Sequence, residues 1–160
     1  MTAHLITEEL RYFLKKEEFL YVATCHSNGY PNVAPKFLIK IDEDFIYLVD
    51  FVDGRTLENL KNNPRVSLSI VNREDIKGYV FNGSAKIIES GADFDEVLKE
   101  LDKREMYFSV ERVIEGVEHE KKHGYFELAF PRPLVVIKVE VEEIVDIAPS
   151  GKLKRTKKKN

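Results

Sequence analysis

The sequence predicts a mainly β domain with peripheral α-helices, built on six strands that are mostly antiparallel and close into a small barrel. Three observations carry this. Strand-like runs in the first half are joined by turn-length loops, so neighbours in sequence run antiparallel. Six runs of strand length stand against little helix, a proportion that suits a small barrel. The last of them, Leu134 to Ile147, alternates Val135, Ile137, Val139 and Val141 with Lys138, Glu140 and Glu142, a two-residue period.

Taken in order, Thr7 can cap a first helix running to about Glu17. Ile6, Leu10, Phe13 and Leu14 form its single apolar stripe. Phe19 to Cys25 is rich in aromatic and β-branched residues and reads as a strand. Ser27-Asn28-Gly29 turns the chain into a second strand, Asn32 to Ile41. Asp42-Glu43-Asp44 turns it again into a third, Phe45 to Phe51. A short helix starts after Asp53-Gly54, buries Leu57 and Leu60 and stops at Asn63-Pro64. Val66 to Val71 and Tyr79 to Glu89 are the fourth and fifth strands, and Gly83 marks a bulge or a close approach. Asp93 and Glu96 form a capping pair for a helix with Phe94, Val97, Leu98 and Leu101 on its apolar side. Val110, Val113, Ile114 and Val117 suggest a second helical piece. Phe130-Pro131-Arg132-Pro133 is a rigid loop before the last strand.

The chain has 160 residues, enough for one domain with a real core. Residues 1–150 form that single domain in this reading. Residues 151–160 are a basic tail, expected to be disordered. The tail holds six basic residues and no acid; outside it 19 basic residues stand against 28 acidic ones. An acidic body argues against a broad nucleic-acid footprint, which leaves only the tail for such contacts. No apolar run approaches the roughly 20 residues that cross a bilayer. Glu8, Glu9 and Arg11 interrupt any signal-like stretch, and Cys25 is the only cysteine, so a reducing cytoplasm is the expected compartment. The chain lacks Gln and Trp and is rich in Lys and Glu, a thermophile tendency.

The start of the short helix carries the most chemistry. Unpaired backbone N–H groups and the positive end of the helix dipole meet the guanidinium of Arg55 and the hydroxyl of Thr56. Together they make a place to hold a phosphate. The bland alternative is a solvated Arg beside a Thr that satisfies a backbone N–H. Lys36 and Lys40 are expected on one strand face with Ala34 and Leu38. Two lysines on one face usually meet solvent, although a cation beside a redox ring would stabilise its reduced anion. Phe81 reads as core, whereas Phe37 and Phe51 could flank a planar ligand.

His119-Glu120-Lys121-Lys122-His123 spells H-E-x-x-H, the spacing of a zinc hydrolase with His119 and His123 as ligands and Glu120 as base. Gly116 and Gly124 confine such a helix to about two turns, and two lysines crowd the metal. The sequence is therefore expected to hold no metal there.

The run Tyr21-Val22-Ala23-Thr24, Asn28-Gly29-Tyr30-Pro31-Asn32-Val33-Ala34-Pro35, Asp53-Gly54-Arg55-Thr56, Asn59-Leu60 and Asn63-Pro64-Arg65-Val66 resembles the pyridoxamine 5'-phosphate oxidase-related flavoproteins. The likeness is strongest over residues 5–90. It implies an FMN-binding split barrel, a homodimer with the flavin at the subunit interface, and an oxidoreductase whose substrate the sequence leaves open. It also implies site residues: Arg55 and Thr56 on the phosphate, Pro35, Lys36, Phe37, Leu38 and Lys40 along the isoalloxazine, and Val49 and Asp50 at the end of the third strand. The 130–133 loop is the first choice for a segment that reaches over the partner's flavin. The oxidase proper carries a Gln on its fifth strand where Gly78 stands here, and its C-terminal Trp and Arg have no counterpart. That argues against pyridoxine phosphate oxidation itself. The alternatives are a non-catalytic flavin, deazaflavin or haem binding or electron-transfer protein and, more remotely, the zinc hydrolase. No catalytic acid or base stands out.

Overall fold

The computed structural model describes residues 4–51, 53–118 and 129–158. Helix α1 (Glu8–Leu14) is followed by β1 (Phe19–Cys25), β2 (Pro31–Asp42), β3 (Phe45–Asp50), α2 (Arg55–Asn62), β4 (Arg65–Asn72), β5 (Lys77–Ile88), α3 (Ala92–Glu118), β6 (Val135–Ile147) and β7 (Leu153–Lys157). The strands lie in the order β3-β2-β1-β4-β5-β6-β7, and β3 also pairs with β6. Six strands therefore close into a barrel, as the alternation and hairpin turns predict. All the pairings are antiparallel.

The length of β6 makes closure possible. Its first half, Val135 to Glu140, pairs with β3; its second half, Glu143 to Ile147, pairs with β7. At Gly83 the β5–β6 register shifts, and a Cβ there would collide with the Glu140 carbonyl. The close approach expected at this glycine is thus real.

Period-two alternation divides the apolar residues into two layers. Leu20, Val22, Leu38, Ile46, Leu48, Leu68, Phe81, Ile137 and Val139 fill the barrel, closed at one end by Leu10 and Leu14 of α1 and at the other by Leu57 and Leu60 of α2. Thr7 caps α1 by accepting from the Leu10 N–H at 3.3 Å, and the Asp44 carboxylate accepts from the N–H groups of Leu5 and Ile6. The second layer lies outside the barrel, where α3 covers Phe37, Ile39, Tyr47, Val49 and Val136 with Val97 and Leu101.

Three expectations need correction. The two helical pieces are one helix of 27 residues. Asp93 lies inside its first turn and takes Lys138 Nζ at 2.7 Å, so the carboxylate anchors α3 to the barrel wall. The tail is not disordered throughout. Leu153–Lys157 form a seventh strand, because the second half of β6 has a free edge and acidic neighbours: Glu143 meets Arg155 at 3.3 Å and Lys157 at 3.6 Å, and Glu140 meets Lys158 at 2.8 Å. Among the described residues no helix is long and apolar enough to cross a membrane.

Candidate functional site

Helix α2 begins where the sequence places it. Its N-cap is Gly54, in extended conformation and with no side-chain capping bond. The N–H groups of the first turn therefore carry no side-chain acceptor at the cap. Arg55 is exposed and makes no hydrogen bond or ion pair with any described residue. It lines a shallow groove with Asp53, Gly54, Glu58, Lys61 and Asn62.

Thr56 differs from Arg55. Its side chain is buried, and its hydroxyl accepts from Asn32 Nδ2 at 3.2 Å. Asn59, one turn on, donates to the Thr24 hydroxyl at 3.0 Å. These two bonds pin α2 across β1 and β2, so the Thr56 side chain fixes the helix. Lys61 is a groove cation that sequence reasoning missed. Its signal was the i, i+4, i+7 spacing of Gly54, Glu58 and Lys61.

Lys36 and Asp50 come together. Lys36 Nζ lies 2.6 Å from Asp50 Oδ2, with Asp50 almost fully buried. Both residues share the inward strand faces of Leu38 and Leu48, so the pair closes the α2 end of the barrel from within. The expectation that Lys36 and Lys40 share a face is wrong. A bulge between Leu38 and Lys40 inserts Ile39 and reverses the alternation. Lys40 points outward to α3, where its Nζ meets Glu96 at 2.8 Å and Asp42 at 3.4 Å. Burial works to lower the Lys40 pKa, but the Glu96 hydrogen bond and the two carboxylates outweigh it and hold it above its ordinary value.

Of the remaining positions, Pro35 is exposed on the outer face of β2. Leu38 is in the barrel core, and Phe37 and Val49 lie under α3. Phe37 is surrounded by Phe19, Phe108 and Phe130, with ring centroids 5.1, 6.2 and 4.9 Å away. Phe130 also stacks on Phe51 at 5.3 Å. Phe130 thus packs on its own chain, while residues 131–133 of the loop are exposed. Phe81 is core, as expected.

The same sheet has an uncovered outer face. Phe19 and Tyr21 on β1, Val33 on β2 and Val71 on β4 are each at least half exposed. Cross-strand pairs Tyr21–Pro35, Ala23–Val33 and Tyr21–Ser69 bring β1, β2 and β4 into one surface. The H-E-x-x-H residues His119, Glu120 and His123 lie outside the described residues. Among the described ones no three His, Cys, Asp or Glu side chains gather as metal ligands.

A closed six-stranded antiparallel barrel with α2 across one end defines a split-barrel protein. The family can be named more closely. The pyridoxamine 5'-phosphate oxidase model matches residues 6–147, and the chain belongs to that family. An uncharacterized protein of Methanocaldococcus jannaschii is 31% identical over 101 residues; the match spans 61% of this chain and 66%, just under two thirds, of that relative.

Among solved structures, a Clostridium acetobutylicum protein related to general stress protein 26 shares the fold with a TM-score of 0.68 at 19% identity, covering 93% of this chain and 92% of that one. An FMN-binding, pyridoxamine 5'-phosphate oxidase-related protein of Nostoc punctiforme matches at TM-score 0.59 and 10% identity, with 100% of both chains covered. A haem-binding protein of Mycobacterium smegmatis matches at 0.61 and 15%, covering 94% of this chain and 57% of that one. At these identities the likeness is one of fold.

Proposed function

We propose that the protein binds FMN and acts as an oxidoreductase, working as a homodimer with the flavin where two chains meet. The observation that carries this is the start of α2: an N-terminus without a side-chain cap beside an exposed Arg55 that has no hydrogen-bond or ion-pair partner among the described residues. Such a site suits a doubly charged phosphate, which both the dipole and the guanidinium favour. Arg55 and the first-turn N–H groups, that of Thr56 among them, hold the phosphate. The ring lies against the β2–β3 end of the sheet. Pro35 is its exposed contact there, and Lys36, Phe37, Leu38, Val49 and Asp50 build the layer beneath. Lys40, beyond the bulge, stands outside this site.

The bound flavin would supply hydride chemistry; the chain supplies anchoring, orientation and exclusion of water. A ring on this outer wall keeps one face open, and the uncovered surface of Phe19, Tyr21, Val33 and Val71 is an apolar patch that a second copy can close. Two-fold pairing through it would give two equal sites and bury roughly 2,000 Å² or more, as obligate homodimers do.

The test is a titration of the purified protein with FMN and with riboflavin. FMN is expected to bind at or below about micromolar concentration, with riboflavin at least ~10-fold weaker because it lacks the phosphate. Equal affinities would remove the phosphate assignment. The absorption spectrum of the loaded protein separates flavin from deazaflavin and haem.

A further inference from the structure

At the α2 end of the barrel, outside its wall, an open cleft of about 750 Å³ lies between the end of β3, α2, the start of α3 and the 131–134 segment. That volume is within the usual range of small-molecule sites. Phe51, Phe94, Leu98, Ile87 and Leu134 make its walls largely apolar. Stacking on Phe130, with the two ring planes 6° apart, fixes the orientation of Phe51.

The rim charges decide the ligand. Arg132 Nη2 lies 3.3 Å from both Asp102 and Glu105, and its Nη1 donates to the Phe130 carbonyl at 3.0 Å. Lys61 Nζ is 4.0 Å from Asp53, and Asp50 is paired with Lys36. Each rim cation thus faces a carboxylate of its own chain. Glu89 remains, exposed at the mouth. An anionic ligand would lose its hydration here without gaining an uncommitted counter-charge. We propose that this cleft is a second small-molecule site, selective for neutral, ring-bearing organic compounds and not for phosphorylated ones.

The cleft shares Asp53 and Lys61 with the groove at Arg55, so its ligand would sit beside the bound cofactor. Its role as the substrate side of a flavin reaction rests on the function proposed above; the binding selectivity does not.

The test is a fluorescence titration of the full chain, with and without FMN. It uses N-phenyl-1-naphthylamine, which is neutral, and 8-anilinonaphthalene-1-sulfonate, a close analogue bearing a negative charge. The neutral probe is expected to saturate one site per chain and to bind at least ~10-fold tighter than the sulfonate. Leu98→Trp, which fills the cleft, should weaken it by a similar factor. Leu98→Lys, which adds an uncommitted cation, should reverse the preference. Val117→Lys, on the exposed far end of α3, should change nothing and controls for adhesion to surface apolar residues. Equal binding of the two probes, or binding unaffected by both Leu98 variants, overturns the proposal. Neutral-probe selectivity without FMN binding would sink the flavin reading and leave the cleft standing. FMN binding without that selectivity would do the reverse.

Discussion

The outer surface of this one sheet has two halves that the chain treats in opposite ways. Over β2, β3 and β6, α3 lies on Phe37, Tyr47, Val49 and Val136 and shields them from water. Over β1, β4 and the first part of β2, Phe19, Tyr21, Val33 and Val71 have no cover from the described chain. Residue chemistry does not distinguish the halves, since both are aromatic and β-branched. Cover does: the first half is completed within the chain, and the second half is left for a partner in the function proposed above.

The largest effect should come from breaking the covered half. Leu101 is fully buried between α3 and the sheet, and Leu101→Ala should lower stability by about 2–5 kcal/mol in denaturant unfolding, the range for deleting a buried Leu side chain. Val33→Glu on the uncovered half should leave the far-UV spectrum intact but shift the light-scattering mass from twice 18.6 kDa to about that of one chain. If Val33→Glu unfolds the chain, or leaves the mass unchanged, the two halves do not differ as described.

Arg55→Ala comes next. It should weaken FMN binding by about 1.5–3 kcal/mol, typical of a hydrogen bond to a charged group, with unfolding unaffected because Arg55 is exposed and makes no hydrogen bond or ion pair with a described residue. Flavin content unchanged through purification would make Arg55 an ordinary surface residue.

The smallest effect tests what holds α3 down. The Lys138 hydrogen bond keeps Asp93 below the ordinary carboxylate range, and Asp93 in turn helps to raise the Lys138 pKa. A carboxyl whose folded pKa is depressed stabilises the fold above its unfolded value, about 3.9, and loses that contribution as pH falls through the folded value. Asp93→Asn should therefore flatten the acid limb of the stability profile below about pH 4, by less than ~1 kcal/mol because the pair is partly exposed. An acid limb of unchanged slope would show that the Asp93–Lys138 pair does not help to hold α3.

Much of the barrel was legible because it rests on local rules. The turns at Ser27-Asn28-Gly29 and Asp42-Glu43-Asp44, the alternation in Leu134 to Ile147 and the break at Asn63-Pro64 each act within a few residues. The start of α2 was legible for the same reason, and with it Arg55 as an exposed cation at an uncapped helix end. Thr56 was half legible: its place in the helix was, its burial against Asn32 was not.

What failed to show in the sequence depends on distant partners. The bulge at Ile39 sends Lys40 to α3 and Lys36 to Asp50, and two-residue alternation has no means of signalling one inserted residue. Asp93 looks like a cap until Lys138, 45 positions away, is brought beside it. The basic tail looks disordered until the free half-edge of β6 and the carboxylates of Glu140 and Glu143 give it a place.

The sequence by itself determined the six barrel strands, their antiparallel sense, the helix start at Arg55 and the family. Tertiary structure alone decided which face of the sheet α3 covers, which cations are already paired and where the apolar cleft opens. Periodicity and turn chemistry act between near neighbours along the chain, whereas burial, ion pairing and cavity shape exist only once remote segments have been packed together.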